Sequence, residues 1–518
     1  DTVSILIKDK GVNGIIILSA GFSEVGHEGK ELERRIVDMA NRHNVSLIGP
    51  NCIGVLTVNY NGVFTEPIPR LDNKGCDFVS GSGATAVFIL ETAISRGLKF
   101  NSIYSVGNSA QIGVEEVLEY WDNNFEVGVT PDIKLLYVEK IDKPEKFLRH
   151  TKSLILKGCK IAAIKAGSSE AGSRAASSHT GAMASPDVAV EALFRKAGVI
   201  RCYGREELIN VALVMNNNLL RGKNIAVISH AGGPAVMITD ALEKGGFNIP
   251  KISGKYADEL LSQLYPGSSV TNPIDFLATG TSEQLSIIID YVENKFDNID
   301  GMVVIFGTPG LFKIYDAYRV IIDKMNKCKK SIYPVLPSIN TAAEEINYFI
   351  ESGGAYFSDE VVLANALTKV YGEINFDTER KKLNNNNYYK ADKKIDYASL
   401  TELFGKYNDG YIKDEDLIKI MNIYELPTVP STIVNKEDDA VRISRKIGYP
   451  VVMKVVGLLH KSDAKGVSLN ITNNDDARRE YKRLLSIEGC CGVNIQKMVD
   501  GVELFIGAKR EDNFGHLI

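Results

Sequence analysis

Residues 77–97 read DFVSGSGATAVFILETAISRG: an apolar run, a turn of Gly and Ser, then a stretch of helical period closed by Gly97. The same plan returns at 226–246 as AVISHAGGPAVMITDALEKGG. At an offset of 149 residues, Ser80, Gly83, Ala86, Val87 and Gly97 align with Ser229, Gly232, Ala235, Val236 and Gly246. A short apolar run that passes through a small-residue turn into a helix is the opening of an α/β unit. Two such openings predict two related α/β domains.

Working outward, apolar runs of β type alternate with amphipathic stretches almost throughout. Strands are expected at 14–19, 45–49, 76–80, 101–106, 135–138, 160–165, 224–229 and 301–307. A charged helix is expected over 26–43. Nearly continuous apolar strands between helices predict parallel sheets covered on both faces. The run KKLNNNNYYKADKK at 381–394 breaks this pattern. Four Asn among Lys and Tyr build no core, so it reads as a linker. Beyond it come helices over 413–426 and 436–447, a strand over 450–456, and at 493–510 a strand, a turn and a second strand interrupted by Glu503. Both chain ends read as cut within domains.

The bulk numbers exclude several classes. A length of 518 residues implies three or four domains. A net charge of -5 gives no basic footprint, so nucleic acid is not an expected partner. No apolar run approaches the roughly 18 residues of a membrane span, so no membrane is expected either. The seven cysteines, at 52, 76, 159, 202, 328, 490 and 491, form no CxxC pair and no zinc spacing. They read as mostly buried thiols of a reducing, cytoplasmic setting.

Few features can carry chemistry. A turn of small residues that opens a helix lets backbone N–H groups approach an anion, and the helix dipole adds about half a positive charge there. Ser82 could add a hydroxyl donor. The alternative is a tight strand–helix turn with no ligand, since neither turn matches GxGxxG or a Walker sequence. Of the seven histidines, His179 sits in the small-residue stretch RAASSHTGAMA (174–184), read as a loop. It is either a surface histidine or an imidazole that bulky partners must approach. His460 follows the strand at 450–456 among polar turn formers, and His230 lies inside the second Gly-rich turn. His27, His43 and His150 fall on charged helical faces and are expected in solvent. Lys454, on an apolar strand, needs either solvent or an anion.

Taken together these stretches resemble the NDP-forming acyl-CoA ligases, relatives of succinyl-CoA synthetase and closest to the single-chain acetate–CoA ligases. The blocks are GIIILSAGFSEVG (14–26), IGPNCIGV (48–55), VSGSGA (79–84), SVGNS (105–109), AASSHTGAMA (175–184), NPIDF (272–276), YPVVMK (449–454), HKSDAKGV (460–467) and GVELFIGAKRED (501–512). The resemblance implies an α/β chain. Residues 1–70 are then the rear of a Rossmann-like CoA-binding domain, 71–220 and 221–378 are flavodoxin-like ligase domains, 379–396 is a linker, and 397–518 starts an ATP-grasp domain. It implies the reaction acyl-CoA + ADP + phosphate ⇌ carboxylate + ATP + CoA, through an acyl phosphate and a phosphohistidine. CoA is a substrate, and acetyl-CoA or a similar acyl-CoA, ADP/ATP and phosphate are the partners. Mg²⁺ accompanies the nucleotide, with its ligands expected beyond residue 518. A homodimer is expected at full length, and the chain as given is not expected to turn over alone.

Residue roles also come from the resemblance. His179 matches the phosphorylated histidine, Glu139 the carboxylate that orients it, and His460 a second, relaying histidine. Ser82 and Gly83, with Gly232 and Gly233, match the phosphate-holding helix starts. Asn51, Gly107 and Asn108 match the CoA/acyl site. Lys454, Gln496, Lys497, Met498, Val499 and Glu503 match the nucleotide site. Three departures bear on acyl selectivity and relay geometry: Gly81 where the family usually has Gln, His230 where it has Asn, and Lys465 in place of Gly. Other readings are a ligase for another acyl group such as succinyl, or a CoA-responsive regulatory region of a protein acetyltransferase. The presence of both His179 and His460 argues against the regulatory one.

Overall fold

The structure, a computed structural model, describes all residues except 181–184, 309, 374–394, 409, 459–464, 503, 512–513 and 518, and the side chains of 176–180, 373 and 414. The linker at 381–394 lies outside the described residues. The chain forms two compact units, 1–385 with 508–518, and 386–507.

After a short helix, Thr2–Lys8, the first unit forms a βαβ element. Strands β1 (Gly14–Ile16) and β2 (Ser46–Ile48) pair in parallel, and the helix His27–Arg42 connects them. Ile15, Ala40, Val45 and Leu47 form its small core.

Next comes a seven-stranded sheet. It contains β3 (Gly54–Thr57), β4 (Tyr60–Val63), β5 (Leu71–Ser80), β6 (Phe100–Ser105), β7 (Ile133–Val138), β8 (Lys160–Lys165) and β9 (Ile200–Cys202), in the order β4-β3-β6-β5-β7-β8-β9. Strands β6 to β9 and β5 are parallel, while β3 and β4 form an antiparallel hairpin on the β6 edge. The boundary expected near residue 70 therefore runs between two strands of one sheet. Residues 54–63 close a hairpin across Thr57 and Tyr60 and extend the neighbouring sheet.

A second sheet holds β10 (Ile225–Ser229), β11 (Ile274–Asp275), β12 (Gly301–Ile305) and β13 (Ser331–Val335), all parallel, in the order β11-β10-β12-β13. Counted from β5, the first sheet's parallel strands run 2-1-3-4-5, the flavodoxin-like order. Counted from β10, the second runs 2-1-3-4. The repeat seen in the sequence is thus a repeat of topology, with each Gly-rich turn leaving the strand that starts its sheet.

One hydrophobic core joins the two halves. Phe78 and Phe100 of the first sheet and Tyr333 of the second are fully buried in it, with the helix Arg205–Met215 and residues 363–370 between them. Burying each such phenyl ring contributes about 1.5–3 kcal/mol. The halves also meet through backbone. Gly97, at φ +80°, stands where an added Cβ would lie 2.2 Å from the Gly354 carbonyl oxygen. Tyr356 N–H donates to the Arg96 carbonyl at 3.1 Å.

The second unit carries an antiparallel sheet of β14 (Ser431–Val434), β15 (Val451–Val456), β16 (Val467–Ile471) and β17 (Gly492–Lys497), ordered β14-β17-β15-β16. The helices Glu437–Ile447 and Asn474–Leu485 pack on one face, over Val451, Met453 and Val455. The second strand expected after 493 is not formed where its apolar run lies. Both edges of β17 are already taken by β14 and β15. Val502, Leu504, Phe505 and Ile506 are exposed, and a short strand, β18 (Lys509–Glu511), follows instead.

Candidate functional site

In open parallel sheets, ligands bind outside the carboxyl ends of the strands, where strand order reverses. In the first sheet that place lies between β5 and β7. Ser80 ends β5, and its Oγ accepts from Ser82 N–H at 3.1 Å and donates to the Ser82 carbonyl at 2.7 Å. Gly81 N–H donates to the Tyr137 carbonyl across the switch at 3.0 Å. Ser82 caps the helix Gly83–Ile94, its Oγ accepting from Thr85 N–H at 3.4 Å. Its hydroxyl proton stays available for donation. An added Cβ on Gly83 would lie 2.8 Å from Ile53 Cγ2, so the turn fits under residue 53 only as glycine.

The second switch, between β10 and β12, repeats this geometry. Ser229 Oγ donates to the Ala231 carbonyl at 2.8 Å and accepts from Ala231 N–H at 3.0 Å. Gly232 and Gly233 open the helix Gly232–Lys244, exposed and with nothing within 4 Å of an added Cβ. Each half therefore offers a helix start with free N–H groups and a positive dipole end.

The halves differ in what stands beside the turn. Glu139 follows the end of β7, half-buried, its Cγ 4.0 Å from where a Gly81 Cβ would sit. The equivalent register position after β12 is Gly307, so the second half has no carboxylate there. The second half has His230 instead. Its ring stacks on Phe306, with centroids 4.6 Å apart, and Nδ1–H donates to the Ile305 carbonyl at 3.3 Å. Burial pushes its pKa below 6.5, partly offset by the carbonyls of Ile305 and Gly307. A histidine whose folded pKa is lowered binds fewer protons than in the unfolded chain. Stability is therefore lost as pH falls through about 6.5 towards the folded value. Thermal unfolding midpoints should drop between pH 7.5 and 5.5, and His230→Asn should flatten that drop. An unchanged slope in the variant would show that other groups set the acid limit.

Lys165, at the end of β8, is 4% exposed, a residue the sequence reading passed over. Its ammonium donates to the Ala166 carbonyl and reaches the Gly167 carbonyl at 3.5 Å. Burial lowers its pKa, while the charges of Asp187 and Glu139 act the other way. The signal was a lysine closing an apolar strand, KIAAIK.

His179 belongs to the helix Glu170–Thr180 rather than to a loop. Small residues such as Ala and Ser do not prevent a helix, and an Arg174–Glu170 pair at i,i+4 supports its first turn. The His179 side chain lies outside the described residues, so its expected contact with Glu139 does too. His150, expected in solvent, is buried. Its Nδ1 pairs with Asp122 Oδ2 at 2.8 Å, and Lys157 meets the other oxygen of Asp122 at 2.7 Å.

Asn51, Gly107 and Asn108 come together. Asn51 Nδ2 donates to Asn108 Oδ1 at 3.3 Å, and a Gly107 Cβ would sit 2.5 Å from the Asn51 carbonyl oxygen. Asn108 Nδ2 donates to Glu24 Oε2 at 2.6 Å, Glu33 Oε2 at 3.0 Å and Ser23 Oγ at 3.1 Å. Glu24, in the loop after β1, and Glu33, on the helix His27–Arg42, thus tie the βαβ element to the loop that follows β6, which spacing in sequence did not reveal.

In the second unit, Lys454 lies on the face of β15 away from the helices, half-buried. Its cross-strand neighbour Asn494 was not singled out from sequence, and Asn494 Oδ1 is buried with no hydrogen-bond partner among the described residues. Gln496, Lys497 and Met498 are half-buried and Val499 is exposed. Lys497 Nζ donates to the Gly448 carbonyl at 2.8 Å and Met498 N–H to the Pro450 carbonyl at 3.2 Å, fixing this segment against the turn before β15. His460 and Glu503 lie outside the described residues. Among the described residues no group of three His, Cys, Asp or Glu side chains could hold a metal ion. No described helix is long and apolar enough to cross a membrane.

Two stretches of the chain match known protein families. Residues 73–215 match the succinyl-CoA ligase like flavodoxin domain, and 406–518 match an ATP-grasp domain. Acetate–CoA ligase [ADP-forming] I of Archaeoglobus fulgidus is 31% identical over 98% of this chain and 73% of its own. 4-Hydroxybutyrate–CoA ligase [ADP-forming] of Nitrosopumilus maritimus is 30% identical over 98% of this chain and 74% of its own. The dinucleotide-forming acetyl-coenzyme A synthetase 1 of Ca. Korarchaeum cryptofilum, solved with phosphate and ADP, superposes with a TM-score of 0.62. It is 23% identical and covers 72% of this chain and 80% of its own, a likeness of fold.

Proposed function

Because this chain belongs to the ADP-forming acyl-CoA ligase family, we propose that it interconverts an acyl-CoA, ADP and phosphate with the free carboxylate, ATP and CoA, acetate being the acid. The observation that carries this reading is the pair of equivalent Gly-rich helix starts, one on each sheet of a shared core, with a single carboxylate, Glu139, beside the first. Two N–H-rich helix ends suit an anion that must be held and then released, as a phosphoryl group is.

In the proposed sequence a phosphate oxygen attacks the thioester carbonyl, the C–S bond breaks and CoA leaves as thiolate. The acyl phosphate then gives its phosphoryl group to the His179 imidazole, and the carboxylate departs. Imidazole is nucleophilic near neutral pH, and its N-phosphoryl derivative is a strong donor. Glu139 accepts a hydrogen bond from the other ring N–H and steadies the cationic ring formed on transfer. His460 then relays the phosphoryl group from His179 to ADP, held by Lys454 and the 496–499 segment. Asn51, Gly107 and Asn108 face the CoA/acyl side.

The test is ATP formation by the intact protein from acetyl-CoA, ADP and phosphate with Mg²⁺, with 4-hydroxybutyryl-CoA run in parallel because a ligase for that acid is 30% identical to this chain. ATP formation that requires all three reactants supports the reading, and the faster thioester names the acid. Acetyl-CoA binding with no ATP from any thioester would favour a regulatory role.

A further inference from the structure

Gly81 and His230 occupy the same place in the two halves, one residue beyond the serine that ends the first strand. In the second half that place is filled by an imidazole stacked on Phe306 and half-buried at the switch. In the first half that place carries no side chain. A glycine is demanded by the fold where φ is positive or where a Cβ would collide. Gly83 meets the second condition, and Gly97 meets both. Gly81 meets neither. Its φ lies outside the left-handed region, and an added Cβ would stand 3.7 Å from the Tyr137 carbonyl oxygen, 3.9 Å from Glu139 N and 4.0 Å from Glu139 Cγ. All three are ordinary van der Waals distances. A side chain at such a site normally stabilises a protein by restricting its unfolded chain, so the fold gains nothing from glycine here.

Gly81 lies beside Glu139, just ahead of a helix start, at the switch of the first sheet. We infer that Gly81 is a specificity-determining residue: the space its missing side chain leaves takes the acyl group of the thioester and admits chains longer than acetyl. The inference rests on the ligase reading. A longer side chain at 81 would extend from a Cβ already in contact with Glu139 and occupy the volume that an acyl chain needs. Alanine would take the first part of it, and glutamine most of it. His230 excludes the same use of the second half, so the acyl end of the reactant is assigned to the first.

The experiment compares kcat/KM for acetyl-CoA, butyryl-CoA and hexanoyl-CoA in ATP formation by the intact wild-type protein, Gly81→Ala and Gly81→Gln. Pocket discrimination of one methylene is worth on the order of tenfold or more. The wild type is expected to use butyryl-CoA within about tenfold of acetyl-CoA. In Gly81→Gln the butyryl to acetyl ratio should fall by about tenfold or more, mainly through KM, with Gly81→Ala between. Thermal midpoints of both variants should equal or exceed the wild-type value. Acyl ratios in an active Gly81→Gln within about twofold of wild type would overturn the inference. Should Gly81→Gln lose all turnover, the Gly81→Ala ratio decides in the same way. ATP from no thioester in the wild type would overturn the ligase reading itself, and this inference with it.

Discussion

Asp77→Ala is expected to lower the free energy of unfolding by about 3–5 kcal/mol, the usual cost of stranding one partner of a buried ion pair. Asp77 on β5 and Lys134 on β7 are cross-strand neighbours, ion-paired, with side chains 4% and 2% exposed. The rest of the carboxylate is used as well. Asp77 Oδ1 accepts from Ser102 Oγ at 2.6 Å and Asn101 Nδ2 at 2.8 Å. Lys134 donates to the Pro131 carbonyl at 2.8 Å, and its ammonium lies 5.4 Å from the Trp121 ring centroid. Removing the carboxylate leaves an ammonium with one carbonyl and an aromatic face, deep among β5, β6 and β7. Trp121 is the sole tryptophan, so its fluorescence in a urea titration reads this region directly. The double variant Asp77→Leu/Lys134→Met, which removes both charges, should recover most of the loss. A single-variant loss below about 1 kcal/mol would mean that water reaches Lys134 and that the pair is effectively exposed.

The second large effect concerns His460. The residues proposed to hold nucleotide belong to the second unit and the Gly-rich turns to the first. In the proposed reaction the phosphoryl group passes from the first unit to nucleotide on the second, and a second histidine is a chemically competent carrier. His460→Ala in the intact protein should still take phosphate onto His179 from acetyl-CoA, yet form ATP slower by on the order of 10³-fold or more, as loss of a covalent carrier does. Wild-type ATP formation in that variant would deny His460 a carrier role and leave direct transfer from His179 to ADP.

What could be read in the sequence was what local pattern dictates. The apolar run at 160–165 is β8 end to end, and the 149-residue repeat became a shared strand order. What could not be read depends on partners distant in sequence. His150 looked solvated because its own helix is charged, but a neighbouring helix supplies Asp122 and buries it. The run at 502–506 looked like a strand, but pairing requires a free edge, and β17 has none. The hairpin at 54–63 carried no turn signal strong enough to place it, and its membership of the first sheet is set by β6, some 40 residues on. At the site, the Gly-rich turns and Glu139 were legible from motif. Lys165, Asn494 and the Glu24–Asn108–Glu33 link were not, because each is defined by burial or by a cross-strand contact.

The central claim is a phosphohistidine formed from the acyl-CoA side, and labelling tests it most directly. The intact protein is incubated with acetyl-CoA and radiolabelled phosphate without nucleotide, and the label is mapped. The claim predicts acid-labile, base-stable label on the peptide that holds His179, released as ATP on addition of ADP and absent from His179→Ala. Label that persists in His179→Ala, or ATP formed by that variant at the wild-type rate, would contradict it.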